Sequence, residues 1–214
     1  MRAAYTALAA LLLVSVGVTP GIAAETGLVT STWDILSGRV APAETALVYD
    51  DHGDHQAASV AEYLAERGCL VEMATWDQRI APRTGITSRP VHIRNLHKAN
   101  VVMTPDMRLV GVHREGNKLV AVLRNDYTET DEEREVDQVV VEHGTLPVDE
   151  LYFALKPHSR NLGEVDYDAI LGGAPQMLTR NAGGQFSLYR VGDAISSRNI
   201  HAAIYDSLRL CKDL

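Results

Sequence analysis

Two short apolar stretches with a helical pattern between them constrain the fold of this chain more than any other feature. Residues 46–50 are largely apolar and end in an acidic turn, residues 57–67 place apolar side chains at helical spacing, and residues 69–74 are again largely apolar. Because one short helix joins the two predicted strands, they must run parallel through a right-handed crossover. The sequence therefore predicts an α/β fold built on a parallel sheet.

The rest of the chain predicts further strands and helices around this crossover. From their apolar spacing, the predicted elements are a weak helix at 90–99, strands at 101–103, 108–114, 118–125 and 135–142, and short helices at 149–155 and 166–171. The strands 108–114 and 118–125 are joined by a tight turn, which predicts an antiparallel excursion. The charged run 128–134 is interpreted as a solvated loop.

Composition limits the classes of function. The formal net charge of −8 over 214 residues disfavours nucleic acid and anionic membranes as partners. Two cysteines, Cys69 and Cys211, are too few for a four-thiolate iron–sulfur site, and we interpret both as buried thiols. His52 and His55 have a spacing that could bind a metal ion, but no third ligand stands nearby in sequence, so no metal site is expected.

The end of the chain has a pattern that suits a nucleotide. An apolar run ends at Gly192 and Asp193, and a polar turn is followed by apolar residues at helical spacing. Glycine permits close approach of the backbone, a carboxylate can accept a hydrogen bond from a sugar hydroxyl, and a helix N-terminus attracts phosphate. The predicted cofactor-binding residues are Gly192, Asp193, Arg198, Asn199 and Ile200, and no catalytic residue is predicted.

Simpler structural interpretations compete for several residues. Asp193 could be an ordinary turn or capping aspartate, Arg198 a surface arginine, and Asn199 the cap of the last helix. Tyr189 and Trp33 are interpreted as core or interface aromatic residues.

The tail of the chain, residues 186–206, resembles the last segment of the FAD-binding domain of NADH:flavin oxidoreductases of the trimethylamine dehydrogenase and 2,4-dienoyl-CoA reductase group, which includes N-methylproline demethylase-like proteins. Residues 142–147, Glu-His-Gly-Thr-Leu-Pro, are similar to the Ala-Thr-Gly-x-x-Pro turn through which that family returns to the FAD-binding domain. The departure at Glu142 and His143 puts a cofactor contact at His143 in doubt. The resemblance covers approximately residues 30–214.

The resemblance implies a domain organisation. The expected fold class is α/β, with a Rossmann-like, three-layer middle domain that carries antiparallel strands, followed by the C-terminal part of an FAD-binding-like domain. The expected segments are a signal-like or residual family strand (1–29), a connecting segment (30–45), a degenerate NAD(P)-binding-like middle domain (46–142) and the C-terminal part of the FAD/ADP-binding-like domain (143–214).

The middle domain lacks the residues that bind NAD in such folds. The three glycine positions of G-x-G-x-x-G fall on His52, Asp54 and Ala57. Asp50, Asp51 and Asp54 place carboxylates where phosphates would lie, and like charges about 4 Å apart repel by about 4 kcal/mol at an effective dielectric constant near 20. We interpret Asp50 and Asp51 as a solvated turn, and we expect the fold of an NAD domain without its binding site.

The N-terminus has two interpretations. Residues 1–24 have the pattern of a secretory signal, with Arg2, an apolar core and small residues before Glu25. Residues 11–20 also resemble a strand and turn of the flavoprotein family, and this is the interpretation that we favour. It predicts a cytoplasmic protein, whereas a true signal would predict a periplasmic or secreted one. The apolar run is short for a stable membrane span.

By resemblance, the chain is expected to be a truncated or split part of a flavin-dependent oxidoreductase of the amine dehydrogenase or demethylase type, acting on a secondary or tertiary amine. FMN and an iron–sulfur cluster are expected only in a flavin barrel that this sequence lacks, for example on a partner chain. FAD or ADP is expected to bind weakly or with the help of that partner, and no turnover is expected from the isolated chain, since the cofactor carries the chemistry. The alternative is a non-enzymatic Rossmann-like binding or scaffold module, which could be exported.

Overall fold

The computed structural model describes residues 7–10, 15–17 and 27–212. They divide into two compact units, one formed by Gly17–Gly144 and the other by Met1–Val16 together with Thr145–Leu214. The two interpretations of residues 1–24 concern segments that lie largely outside the described residues.

The strands and helices follow one another in mixed α/β order. The strands are β1 (Ala7–Ala10), β2 (Ser15–Gly17), β3 (Val29–Ser31), β4 (Thr45–Asp50), β5 (Leu70–Thr75), β6 (Val102–Thr104), β7 (Arg108–Glu115), β8 (Lys118–Asn125), β9 (Thr130–Val136), β10 (Gln138–Glu142), β11 (Thr145–Pro147) and β12 (Ser187–Arg190). The helices are α1 (Thr32–Leu36), α2 (His55–Ala65), α3 (Arg89–Lys98), α4 (Glu150–Leu155), α5 (Tyr167–Gly172) and α6 (Ile200–Cys211).

The unit Gly17–Gly144 is built on a parallel sheet with strand order β3-β10-β4-β5-β6. Strands β4 and β5 are joined through α2 and pair in parallel, which confirms the predicted crossover. The helix packs closely on the sheet because its buried face is rich in alanine, with Ala57, Ala58 and Ala61 fully buried. It ends where Gly68 adopts a φ of +87°, a conformation that glycine takes without strain.

An antiparallel sheet of β7, β8 and β9 covers the other face of the parallel sheet. Its inward side chains, among them Leu109, Val112 and Leu123, pack against Leu47 and Val139 of the parallel strands. Helices, parallel sheet and antiparallel sheet therefore form three layers, as the sequence predicts.

The solvated loop predicted at 128–134 is wrong, because most of this run belongs to strand β9. The strand carries no apolar alternation to reveal it. Hydrogen bonds to β8 hold the strand in place, and in this ladder Asp131 lies opposite Arg124, with the two side chains 3.2 Å apart. Arg134 also forms an ion pair with Glu72 at 2.9 Å. Charged side chains suit this strand because one face of an antiparallel sheet can be solvated.

The unit of Met1–Val16 and Thr145–Leu214 has a small core. Strands β1 and β12 pair in parallel, and Tyr189, Val191 and Leu210 form a buried apolar cluster. The core position predicted for Tyr189 is confirmed.

Two other burial predictions are corrected by the structure. Trp33 is 44% exposed, so it is not a core residue, and of the two predicted positions only the interface one stays a prediction. Cys69 is buried, but Cys211 is exposed at the last position of α6, where the helix turns its neighbour Leu210 inward and Cys211 outward. Within the described part of the chain, no helix is both long and apolar enough to cross a membrane.

Candidate functional site

The carboxyl ends of three parallel strands bring polar side chains to one edge of the sheet in the unit Gly17–Gly144. Asp50 ends β4, Thr75 ends β5 and Glu142 ends β10, and in the ladder Asp50 is the partner of both Glu142 and Thr75. In open α/β sheets, ligands bind at this edge. It is also the edge at which the sequence places the degenerate dinucleotide site.

Asp50 is turned inward at this edge, onto the loop that follows it. Its side chain is fully buried, and its Oδ1 accepts hydrogen bonds from the backbone amides of His52, at 3.1 Å, and Gly53, at 2.8 Å. The interpretation of Asp50 as part of a solvated turn is therefore wrong. In a dinucleotide-binding fold the amides of this loop face the pyrophosphate, whereas here a carboxylate of the protein itself occupies them.

The burial of Asp50 changes its acidity. Burial raises its pKa to about 7, and the nearby carboxylates of Glu142 and Asp77 act in the same direction, whereas the two amide hydrogen bonds oppose the rise. The Oδ2 atom is buried and has no hydrogen-bond partner among the described residues. A carboxyl group with such a pKa holds a proton over much of the acidic pH range.

Glu142 and His143 form a second turn beside this loop. Glu142 is buried and accepts hydrogen bonds from the Thr32 hydroxyl and from the Gly144 amide, the latter at 2.8 Å. The side chain of His143 is 6% exposed, its Nδ1 lies 2.8 Å from Asp51 Oδ2, and its Nε2 is buried with no hydrogen-bond partner among the described residues. The residues at which the chain departs from the family turn are thus tied to neighbouring protein groups.

Protein atoms also fill the space next to the loop. Gly53 has a φ of +80°, and a Cβ on it would lie 3.0 Å from Cγ of Pro82 and 3.2 Å from a carboxylate oxygen of Asp77. The Arg83 amide donates to the Gly53 carbonyl at 2.8 Å, and the Asp54 carboxylate accepts from the first amide of α2. The position of a dinucleotide pyrophosphate is therefore closed on several sides.

The predicted cofactor-binding residues lie in the other unit, around the start of α6. Gly192 has a φ of +61°, and a Cβ on it would lie 3.0 Å from the Cβ of Ala203 in α6. The glycine therefore serves both the turn and the close approach of the helix. Asp193 follows it and is half-buried, with Oδ1 3.5 Å from the Arg198 amide.

The remaining predicted residues surround the first turn of α6. Arg198, which precedes the helix, forms an ion pair with Asp206 of α6. Asn199 is the N-cap, and its side chain accepts from the Ala202 amide at 3.0 Å. Ile200 is the first residue of α6, and its side chain is largely exposed. The fold thus brings all five predicted residues to one helix N-terminus, where the capping interpretation of Asn199 holds.

Sequence reasoning missed the inward turn of Asp50 and its closeness to Glu142. A signal for both was available, since each acid directly follows an apolar strand and the carboxyl ends of adjacent parallel strands meet at one edge. It also missed Arg190, which binds Asp149 at 2.7 Å and stacks on Tyr152. No sequence pattern joins these residues. Among the described residues, no group of three or more His, Cys, Asp or Glu side chains is arranged to hold a metal ion.

Comparison with known proteins gives no matching family model, but it does give close relatives. The chain is 49% identical over 187 residues to the "Probable N-methylproline demethylase" of Rhizobium meliloti (strain 1021), a match that covers 87% of this chain. It is 48% identical over 193 residues to the "N,N-dimethylglycine/sarcosine dehydrogenase" of Chromohalobacter salexigens, covering 88% of this chain. These relatives confirm the resemblance to N-methylproline demethylase-like proteins. The chain spans 28% of the length of each of these relatives.

Solved structures share the fold at low sequence identity. Histamine dehydrogenase from Rhizobium sp. 4-9 superposes with a TM-score of 0.68 at 18% identity, over 91% of this chain and 28% of that one. Thioredoxin reductase from T. acidophilum superposes with a TM-score of 0.60 at 16% identity, over 94% of this chain and 62% of that one. These likenesses confirm the predicted Rossmann-like α/β class, and the relatives confirm the family resemblance on which the sequence interpretation depends.

Proposed function

We propose that this chain is the dinucleotide-domain part of a flavin-dependent amine demethylase or dehydrogenase. The observation that carries the proposal is the 49% identity to a protein named as a probable N-methylproline demethylase, of which the chain spans 28%. Its role is to supply the FAD/ADP-binding-like region, while amine oxidation belongs to a flavin barrel on the same or a partner polypeptide. Bound flavin would supply the hydride and electron transfer.

We assign a structural role to the unit Gly17–Gly144. The loop amides at His52 and Gly53 already bind the Asp50 carboxylate, and the segment from Asp77 to Arg83 covers the loop. An incoming pyrophosphate would have to displace a buried group and then lie beside further carboxylates. NAD(P) therefore does not bind in this unit.

In this proposal, the turn at Gly192 and Asp193 binds the adenosine diphosphate part of FAD, or ADP itself. Asp193 is partly accessible and can accept a hydrogen bond from a ribose hydroxyl. The amides of Ile200 and His201 stand in the first turn of α6, where they have no intrahelical acceptor and can face a phosphate. Arg198 can reach that phosphate only by leaving its ion pair with Asp206.

Pairing of β1 with β12 supports a cytoplasmic location in this proposal. The four residues of β1 lie in the stretch that a signal peptidase would remove under the secretory interpretation, yet they pair along the whole of β12.

Nucleotide titration tests the proposal. Calorimetry with ADP and FAD should detect binding that Asp193→Ala weakens by about 1–3 kcal/mol, the usual worth of a hydrogen bond to a charged group. Asp168→Ala, which removes an exposed carboxylate from α5 of the same unit, is the matched control and should bind as the unchanged chain does. NADH should bind no tighter than about millimolar.

Equal ADP affinity in the Asp193→Ala and unchanged chains would mean that the turn is only structural. Micromolar binding of NADH that persists in Asp193→Ala would place the nucleotide in the other unit and overturn the structural role assigned to it.

A further inference from the structure

Helices α2 and α3 bring two histidine side chains into direct contact. His55 opens α2 and His92 lies in the first turn of α3. The Nδ1 atom of His55 is 3.1 Å from the Nε2 atom of His92, with the ring centroids 5.3 Å apart. Two imidazole nitrogens bound to one tetrahedral Zn²⁺ at about 2.0–2.1 Å lie about 3.3 Å from each other. The observed separation is already close to that of two ligands on a single ion.

The ring of His92 is held by a carboxylate on its far side. Its Nδ1 lies 2.6 Å from Glu62 Oε1, and the other oxygen of Glu62 accepts a hydrogen bond from the Asn95 side chain at 3.0 Å. A proton on Nδ1 directed at Glu62 leaves the lone pair of Nε2 facing His55. Histidine ligands of protein-bound metals have this arrangement, because the carboxylate fixes the tautomer and raises the basicity of the coordinating nitrogen.

Access and charge around the pair also suit a cation. The side chain of His92 is only 15% exposed and that of Glu62 18%, whereas that of His55 is 50% exposed and opens the pair to solvent. The N-terminus of α2 carries positive dipole charge. The Asp54 carboxylate, which caps that helix end and lies 3.7 Å from His55 Nε2, offsets it. A divalent ion can therefore enter from the His55 side.

We propose that His55 and His92 together bind a divalent transition-metal ion, with water in its remaining coordination positions. The ion takes the place of the proton that the two facing nitrogens share. With two protein ligands the site binds more weakly than a closed structural zinc site, and it binds Cu²⁺ more tightly than Zn²⁺. His52, the partner suggested by sequence spacing, is instead directed at Gly144.

The test is a titration of the full chain with Zn²⁺ and with Cu²⁺, measured by competition against a chromogenic chelator. His55→Ala and His92→Ala should each lower the affinity at least tenfold. His97→Ala is the matched control, since it removes an exposed histidine from the last turn of α3, and it should leave the affinity unchanged. Glu62→Gln should weaken binding by about tenfold or more through the orientation of His92.

Equal affinity in His55→Ala, His92→Ala and His97→Ala would reveal adventitious surface binding only and would overturn the proposal, as would the absence of saturation at millimolar Zn²⁺. A second measurement follows the metal-induced shifts in the unchanged chain and uses the variants only to assign the resonances. In two-bond ¹H–¹⁵N spectra of the unchanged chain, Zn²⁺ should shift the Nδ1 signal of one histidine and the Nε2 signal of another. These should be the two resonances missing from the His55→Ala and His92→Ala spectra, and shifts confined to other rings would contradict the site.

Discussion

Two strand-to-helix turns in this chain each carry a glycine and an aspartate, yet their carboxylates do different things. Asp50 is fully buried at the end of β4, and the amides of its own loop bind it. Asp193 follows β12, is half-buried and faces a single amide at the 3.5 Å limit of a hydrogen bond. The Asp50 carboxylate accepts the hydrogen bonds of its own loop amides and so occupies the position of a ligand. The Asp193 carboxylate is partly accessible and can accept a hydrogen bond from a ligand.

The largest expected effect is on the pH dependence of stability. Asp50 has a pKa raised to about 7 in the folded chain, so between about pH 4 and 7 the folded state holds a proton that the unfolded chain has lost. The free energy of unfolding should therefore fall as the pH rises through this window and level off above it. The contribution of Asp50 is at most about 4 kcal/mol, since each unit of pKa is worth about 1.4 kcal/mol.

Asp50→Asn isolates that contribution, because the carboxamide oxygen can still accept from the loop amides but the group no longer titrates. Urea unfolding at pH 5, 6, 7 and 8 should show the variant gaining on the unchanged chain as the pH rises. Parallel curves for the two proteins would mean that Asp50 is ionised throughout.

Replacement of each aspartate by alanine should lower the free energy of unfolding by different amounts in the two turns. Asp50→Ala leaves the amides of His52 and Gly53 without their acceptor and should cost about 3 kcal/mol, since each buried donor left unsatisfied costs about 1–3 kcal/mol. Asp193→Ala should cost less than about 1 kcal/mol, because its single amide contact is long and partly exposed. Chemical denaturation of both variants measures the difference, and equal losses would abolish the distinction between a closed and an open turn.

Substitution of the glycine in each turn should destabilise the chain by more similar amounts than substitution of the aspartates does. Gly53→Ala and Gly192→Ala both place a side chain at positive φ and 3.0 Å from a neighbouring atom, so each should cost about 1–3 kcal/mol. The Gly53 variant should be the more costly, since Pro82 and Asp77 both stand in the way of its Cβ. Thermal unfolding compares them with Gly116→Ala, which has a similar φ but open space around it.

The smallest expected effect concerns Arg198. Its ion pair with Asp206 is partly exposed and within reach of solvent, so Arg198→Ala should change the free energy of unfolding by less than about 1 kcal/mol. If the guanidinium turns to a phosphate on binding, the same variant should lower ADP affinity a few-fold. Unchanged affinity would restrict the proposed site to Asp193 and the helix amides.

The elements with a periodic apolar pattern could be predicted from sequence alone. The crossover β4-α2-β5 was predictable because apolar residues recur at the period of a strand or a helix and because a glycine ends the helix. Strand β9 was not, since its stability comes from ladder hydrogen bonds and from charge pairs such as Arg134 with Glu72. Such pairs join distant parts of the chain and leave no periodic signal.

The sequence by itself determined the α/β class, the order of most elements and the loss of the glycine motif, because apolar periodicity and local motifs are properties of neighbouring residues. Only the tertiary structure decided which carboxylates are buried and which histidines meet. Asp50 and Glu142 are 92 residues apart along the chain, and His55 and His92 are 37 residues apart. The pairing of strands brings the first two together, and the packing of helices brings the second two together. Burial and pairing depend on these distant contacts, which no local pattern encodes.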